Sequence, residues 1–341
     1  MSSASRAVPA VLAGVLLLAG CGSERAPREG DTAGGPPGTT PSCPSEYARY
    51  GAPPASAPPS FTPSGTPTPL PLPSTGGPDE DGVQVTGLYA WAADSGCEAD
   101  LTAEFEVTNP GPAAAAYTVT LGFVTASGSA VENVEGTVAS VGPGRTAQGT
   151  VALARTAGHA PEVSGVRVVK VRSVPAGEAA TASGPCPASG THLYLDQGDA
   201  AMGLRVVGLH LVNCGTRPYA LDGYPELRLL GADHTPIEGV RVLDGTERIS
   251  TAVGGGGAPR PVTLRPGEAA RTTLAWRNTT EAGLDGPVNV PYLQVRPKPG
   301  ADPVTVVPEL DLGTTGLLGV GPWEKDEAYR GTGTGTAPAA P

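Results

Sequence analysis

The feature that most constrains this chain is a pattern that occurs twice. Residues 203–225 read GLRVVGLHLVNCGTRPYALDGYP: a strand, a turn on Asn213-Cys214-Gly215, then the start of a second strand. A fainter copy, FEVTNPGPAAAAYTV, covers residues 105–119. Each copy is followed by a Pro-Gly turn and another strand, VGPGRTAQGTVAL from Val141 and LRPGEAARTTLAW from Leu264. Aligned on Pro143 and Pro266, the two share V/L-x-P-G-x-x-A-x-x-T-V/L-A. Pro and Gly at adjacent turn positions prescribe backbone geometry rather than surface character. A repeated prescription of that kind predicts two domains of one architecture in tandem.

The runs around these turns say which architecture. VQVTGLYAWAA, LTAEFEVTN, YTVTLGFVTASG, VENVEGTVASV, TAQGTVALA and VSGVRVVKVRSV are short and alternate apolar with polar residues. THLYLDQ, PELRLLGA, PVTLRP, ARTTLAWRN, PYLQVRP and VTVVPEL continue the series downstream. No helical period is sustained anywhere. The expected fold is all-β, two tandem immunoglobulin-like antiparallel β-sandwiches, at 83–175 and 186–323, joined by a small-residue linker at 176–185. From Asn109 to Pro143 is 34 residues and from Asn213 to Pro266 is 53, so the second copy carries about 19 more, placed at 241–260. Trp91, Trp276 and Trp323 are read as core residues.

The amino-terminal end predicts an address. Arg6 supplies a basic region, Val8 to Leu18 a short apolar run, and Leu18-Ala19-Gly20-Cys21 matches the bacterial lipobox. Residues 1–20 are thus expected to be a lipoprotein signal peptide, with Cys21 as the lipidation site. Acyl chains contribute roughly 0.8 kcal/mol per buried CH₂, so two or three anchor a protein stably. The expected location is the extracytoplasmic face of the cell membrane. Residues 21–82 are rich in Pro, Thr and Ser and are expected to be a disordered spacer; the tail at 324–341 is expected to be disordered too.

An exported chain sits in an oxidising compartment, where its cysteines pair. Besides Cys21 there are Cys43, Cys97, Cys186 and Cys214, which allow three pairings. Locality within domains favours Cys186–Cys214 and Cys43–Cys97. Without a CxxC motif, and with four His, the pattern argues against a zinc site. The net charge of −11 is spread along the chain with no basic face, which disfavours nucleic acid as a partner.

No catalytic, cofactor-binding or metal-binding residues are identified. His159, His192, His210 and His234 stand beside no nucleophile motif and are read as surface histidines. Gly254 to Gly257 lack the lysine and helix of a phosphate loop and read as a hinge. The candidate recognition loop is 241–260, in which Arg241, Asp244, Glu247, Arg248 and Ile249 would form the contact patch. The expected function is non-catalytic binding or adhesion at the cell envelope, with an envelope protein or glycan as partner, besides the membrane through Cys21. The alternatives are a wall-associated enzyme with a site between the domains and a structural spacer.

Several residues of the second domain also resemble a known family. Cys186 with Leu193, Leu209-x-Leu211-x-Asn213, Leu221-Asp222-Gly223-Tyr224-Pro225 and Leu264-x-Pro266-Gly267 are similar to the domain-of-unknown-function family 4232 of actinobacterial secreted lipoproteins. The resemblance covers about 186–323. It departs from the family where a cysteine is expected just before the Leu-Asp-Gly-Tyr-Pro run. Tyr219 stands there, and the cysteine is earlier, at Cys214. The resemblance implies a β-sandwich and export, and no activity.

Overall fold

A computed structural model describes residues 66–72, 82–97, 99–155, 162–280 and 286–329. The chain is all-β, and among the described residues every strand pair is antiparallel except one. Among the described residues no helix is long and apolar enough to cross a membrane.

The first domain contains β1 (Thr68–Pro69), β2 (Val83–Ala90), β3 (Ala99–Thr108), β4 (Ala115–Val124), β5 (Ala130–Val141), β6 (Thr146–Ala154) and β7 (Gly165–Pro175). Strands β1-β2-β3-β6 form one sheet and β5-β4-β7 the other. Alternation decides what lies between them. Ala103, Phe105 and Val107 of β3, and Val119, Leu121 and Phe123 of β4, are wholly buried in one core to which all the longer strands contribute. The expected spacer is shorter than 21–82, because Leu70 donates its N–H to the Leu88 carbonyl at 2.8 Å and packs on this core. Prolines at 67 and 69 do not prevent that pairing, since an edge strand can do without some of its donors.

The second domain contains β8 (Thr191–Leu195), β9 (Asp199–Ala201), β10 (Leu204–Asn213), β11 (Tyr219–Leu221), β12 (Glu226–Leu230), β13 (Arg241–Asp244), β14 (Val262–Leu264), β15 (Ala269–Arg277), β16 (Asn289–Val290), β17 (Tyr292–Arg296), β18 (Val304–Val306), β19 (Leu310–Asp311), β20 (Leu317–Val320) and β21 (Glu324–Lys325). The large sheet runs β13-β20-β15-β10-β8, with β9 on β10 and β21 on β15. It is closed by β12-β17-β18 and by the pairs β11-β14 and β16-β19 over a core of Leu, Val and Trp side chains. Trp276 and Trp323 lie in that core, while Trp91 is buried in the first domain.

The sequence repeat is a repeated hydrogen-bond clasp. Asn213 ends β10 and Asn109 directly follows β3, and each is 1% exposed. The Asn109 side-chain amide donates to the carbonyls of Ala113 and Val141, both at 2.8 Å, and its Oδ1 accepts from Gly111 N–H. Asn213 donates to Arg217 (2.9 Å) and Leu264 (3.0 Å) and accepts from Gly215. The backbone follows the same plan: Asn109 pairs with Arg145 and Gly144, and Asn213 with Glu268 and Gly267. The partners Gly144 and Gly267 have φ of 62° and 83°, the left-handed position that a Pro-Gly type II turn requires. The motif is conformational: it ties a loop, a strand end and a turn to one buried amide.

Residues 241–260 are more ordered than a surface insertion. β13 pairs in parallel with β20. Ile249 is 8% exposed and packs with Leu243 and Ala275. A Cβ on Gly255 would lie 3.1 Å from the Gly321 backbone and 3.0 Å from Thr273. The expected hinge at 254–257 is therefore a packed corner, at which glycine is needed for close approach. The linker at 176–185 is likewise docked, with Ala179 bridging to Thr305 and Thr181 to Leu193. The carboxyl-terminal tail begins later than 324, because β21 pairs with β15 and Asp326 N–H reaches the Ala269 carbonyl.

Candidate functional site

The two sandwiches meet along an interface that both strands and side chains define. Ala116 and Val174 of the first pack against Leu230 and Tyr292 of the second. Ser173 donates its backbone N–H to Tyr292 Oη at 3.2 Å. Glu309 binds Arg172 through two nitrogens, at 2.6 and 3.3 Å, and Lys170 at 3.1 Å. A two-pronged Arg–carboxylate contact fixes orientation as well as distance. Glu309 holds a φ of 50°, a left-handed value uncommon for a residue with a side chain. The other end of the contact is Glu178, whose Oε2 accepts from Gln294 and Thr305.

Beside this interface lies a cleft of ≈ 740 Å³ whose walls come from both domains. The first supplies β5 and neighbouring residues of β4, among them Thr118, Glu132, Glu135 and Thr137. The second supplies the turn Asp196-Gln197-Gly198 and residues 305–309. Val134, Val174, Leu195, Val207 and Val306 make the lining partly apolar. Polar groups make the rest of the lining, with four carboxylates, Glu132, Glu135, Asp196 and Glu309, so the cleft suits a polar ligand rather than an apolar one.

Asp196 also belongs to a second constellation. Its Oδ1 accepts from Gly198 (2.9 Å) and Gly208 (2.8 Å), and its Oδ2 lies 3.2 Å from His210 Nε2. The opposite ring nitrogen, Nδ1, lies 3.2 Å from Asp326 Oδ2. The imidazole stacks on Tyr194, centroids 5.1 Å apart. Burial pushes the Asp196 carboxyl up, but the bonds from His210, Gly208 and Gly198 outweigh it, and the group lies below the ordinary range. Burial pushes Tyr194 far up, so it stays a neutral phenol. Alternation with Leu209 and Leu211 does place His210 on the outer face, but it is enclosed there between two carboxylates rather than free.

The other histidines differ. His192, expected at the surface, is buried: it shares the outer face of β8 with Tyr194, opposite the core-facing Leu193, and the docked linker reaches it through Thr181. Its Nδ1 is 2.9 Å from the Thr181 hydroxyl, and burial lowers its pKa, which keeps the ring neutral. This hydroxyl–imidazole pair is the nearest approach to a nucleophile and base, but no third group orients the ring among the described hydrogen bonds. His234 stacks on Tyr292 at 4.2 Å, at the domain interface. His159 lies outside the described residues.

Of the expected recognition patch, Arg241, Asp244, Glu247 and Arg248 are exposed and Ile249 is not. Ile249 faces inward to cover Ala275, so it is unavailable to a partner, which corrects the expected contact patch. A bond to its own backbone, and then the Gly257 N–H that it accepts at 2.7 Å, hold the Glu247 carboxyl below the ordinary range. Tyr224 is the aromatic neighbour of Asp244 and Glu247, and burial followed by those charges raises its pKa. Cys186 and Cys214 form a disulfide, with Cα atoms 5.6 Å apart and a sequence separation of 28. That loop length corresponds to about 3.6 kcal/mol in the chain-entropy model. Cys97 is disulfide-bonded too. Its expected partner Cys43, like Cys21, lies outside the described residues. Among the described residues no group of His, Cys, Asp and Glu could hold a metal ion.

The sequence reading did not single out Asp196, Asp326, Glu309 or Tyr194. One local signal existed: Asp-x-Gly at 196–198 is an Asx-turn pattern that places a carboxylate at a strand end. Nothing local indicates that residue 326 returns to residue 210.

Comparison with known proteins adds a family but no activity. Residues 186–324 match the family model described as Domain of unknown function (DUF4232). No curated protein matches the chain. A solved structure, that of red sea bream transglutaminase, is similar at 13% identity over 70% of this chain and 30% of its own, with a TM-score of 0.16. This chain thus spans less than a third of that protein's length, and a superposition so poor carries no argument. The second β-domain of this chain, residues 186–324, is a member of the DUF4232 family, whose description assigns it no function.

Proposed function

We propose that this protein is an exported lipoprotein, anchored to the extracytoplasmic face of the cell membrane through Cys21, that binds an envelope component without catalysing its conversion. The observation that carries the binding reading is the interdomain cleft of ≈ 740 Å³, walled by both sandwiches and braced by the Arg172–Glu309 contact. The interface holds the two walls of such a site in register. The Pro-rich segment between Cys21 and β1 serves as a spacer that gives the domains reach from the membrane. The anchoring reading rests on Leu18-Ala19-Gly20-Cys21 after a short apolar run.

Anchoring is tested by fractionating cells that express the wild type or Cys21→Ser. The wild type is expected in the membrane fraction, with a mature chain that begins at an acylated Cys21 by mass spectrometry. The variant is expected to leave that fraction. A wild-type chain with an unmodified Cys21 overturns the reading.

A further inference from the structure

His210 is placed between two carboxylates that come from opposite ends of the second domain. Asp196 follows β8 and Asp326 follows β21, 14 and 116 residues away in sequence. Both ring nitrogens are within hydrogen-bond distance of a carboxylate oxygen. A carboxylate only accepts, and a neutral imidazole has a single N–H, so it can serve one of the two. The imidazolium has two N–H groups and can serve both. The doubly bonded arrangement therefore carries one proton more than the singly bonded one, and acidification favours it.

Solvation decides which partner the neutral ring keeps. The Asp326 side chain is 7% exposed and that of Asp196 is 45% exposed. A released Asp196 oxygen can be hydrated where it stands, whereas a released Asp326 oxygen would be a buried charge short of a donor. The single proton therefore belongs on Nδ1, toward Asp326, and the bond that breaks is Nε2 to Asp196.

The remaining groups on this face do not change that order. Tyr194 under the ring and Tyr329 beyond Asp326 are both pushed up by burial and stay neutral. Arg271, opposite His210 on β15, pairs in register with Glu324 of β21. Lys325 is bound to Glu268 at 2.9 Å. The imidazole is thus the group on this face that can exchange one donor for two.

We propose that His210 is the bolt of a pH-sensitive latch that holds the Asp196-Gln197-Gly198 rim of the interdomain cleft when protonated and releases it when neutral. These three residues line the cleft, and Asp196 anchors them by accepting the Gly198 and Gly208 amides. The consequence for ligand access rests on the cleft being the binding site; the latch itself does not.

Amide hydrogen exchange at Gly198 in the full mature chain reads the latch without any ligand. After correction for the intrinsic pH dependence of exchange, Gly198 protection is expected to fall on the order of three- to tenfold between about pH 5.5 and about pH 8, the loss of one charge-assisted bond. In His210→Gln, whose amide cannot bridge both carboxylates, the protection is expected to stay at the low level at both values. In Asp326→Asn the side-chain amide can donate to Nδ1, so the ring proton moves to Nε2. Gly198 is then expected to stay protected at both values, an outcome that a merely structural histidine does not produce. Equal protection at both pH values in the wild type overturns the latch, and so does an unchanged pH dependence in Asp326→Asn. Either result leaves the cleft's ability to bind untouched, since no ligand enters the measurement.

Discussion

Asn213→Ala is expected to destabilise the second domain by about 2–4 kcal/mol, and Asn109→Ala the first by a similar amount, as read from urea unfolding. Each asparagine satisfies two carbonyls and one N–H across three segments of chain. Truncation leaves those groups without partners, and a buried polar group left unpaired costs about 1–3 kcal/mol. Tyr117 Oη also donates to Asn109 Oδ1 at 3.0 Å, which places the first domain at the upper end of the range. Aspartate separates hydrogen bonding from shape. It has nearly the same volume, but its ionised oxygens cannot donate to Val141 or Leu264, so Asn109→Asp and Asn213→Asp are expected to be as damaging as alanine at neutral pH. An aspartate variant as stable as the wild type would show that the amide donors contribute little.

Trp323→Ala carries the largest expected effect, about 3–5 kcal/mol, the range for removing a buried tryptophan. Trp323 is among the largest wholly buried side chains, and its indole N–H donates to the Pro297 carbonyl at 2.9 Å. Its backbone N–H reaches Gly223, in the Leu-Asp-Gly-Tyr-Pro stretch. The residue thus joins the carboxyl-terminal end of the domain to the Leu221–Pro225 loop. Trp323→Phe keeps most of the volume and loses the indole donor, so it is expected to fall between the wild type and alanine. Thermal melts of the three proteins order them; an alanine variant within about 1 kcal/mol of the wild type contradicts the assignment of Trp323 to the core.

The parts of the fold that were legible in the sequence are those set by local backbone chemistry. Asn109 and Asn213 with their Pro-Gly turns could be read because the residue types prescribe the conformation. The alternation in β3, β4 and β10 could be read because one face of each is a core. The expected spacer hid β1, since a Pro-rich stretch has the same composition whether free or paired along a sheet edge. Ile249 was read as exposed because residues 241–260 form a surplus relative to the first domain. The surplus instead adds a strand to the large sheet, and Ile249 covers its Ala275. The cleft and the His210 constellation were illegible for a different reason. They join residues such as 196, 210 and 326, or 172 and 309, whose proximity is set by the assembled sheets and leaves no trace in any short window.

Binding in the interdomain cleft is tested by site-specific photo-crosslinking in living cells. The crosslinking residue is placed at Thr137, on the cleft wall, or at Val242, exposed on edge strand β13 within the expected recognition loop. Both positions are at the surface, so neither substitution disturbs a core. Binding in the cleft predicts a discrete envelope adduct from position 137 and not from 242, and loss of that adduct when Thr118 across the same wall is changed to Trp to fill the cleft. An adduct formed from 242 alone, or one from 137 that survives Thr118→Trp, contradicts it.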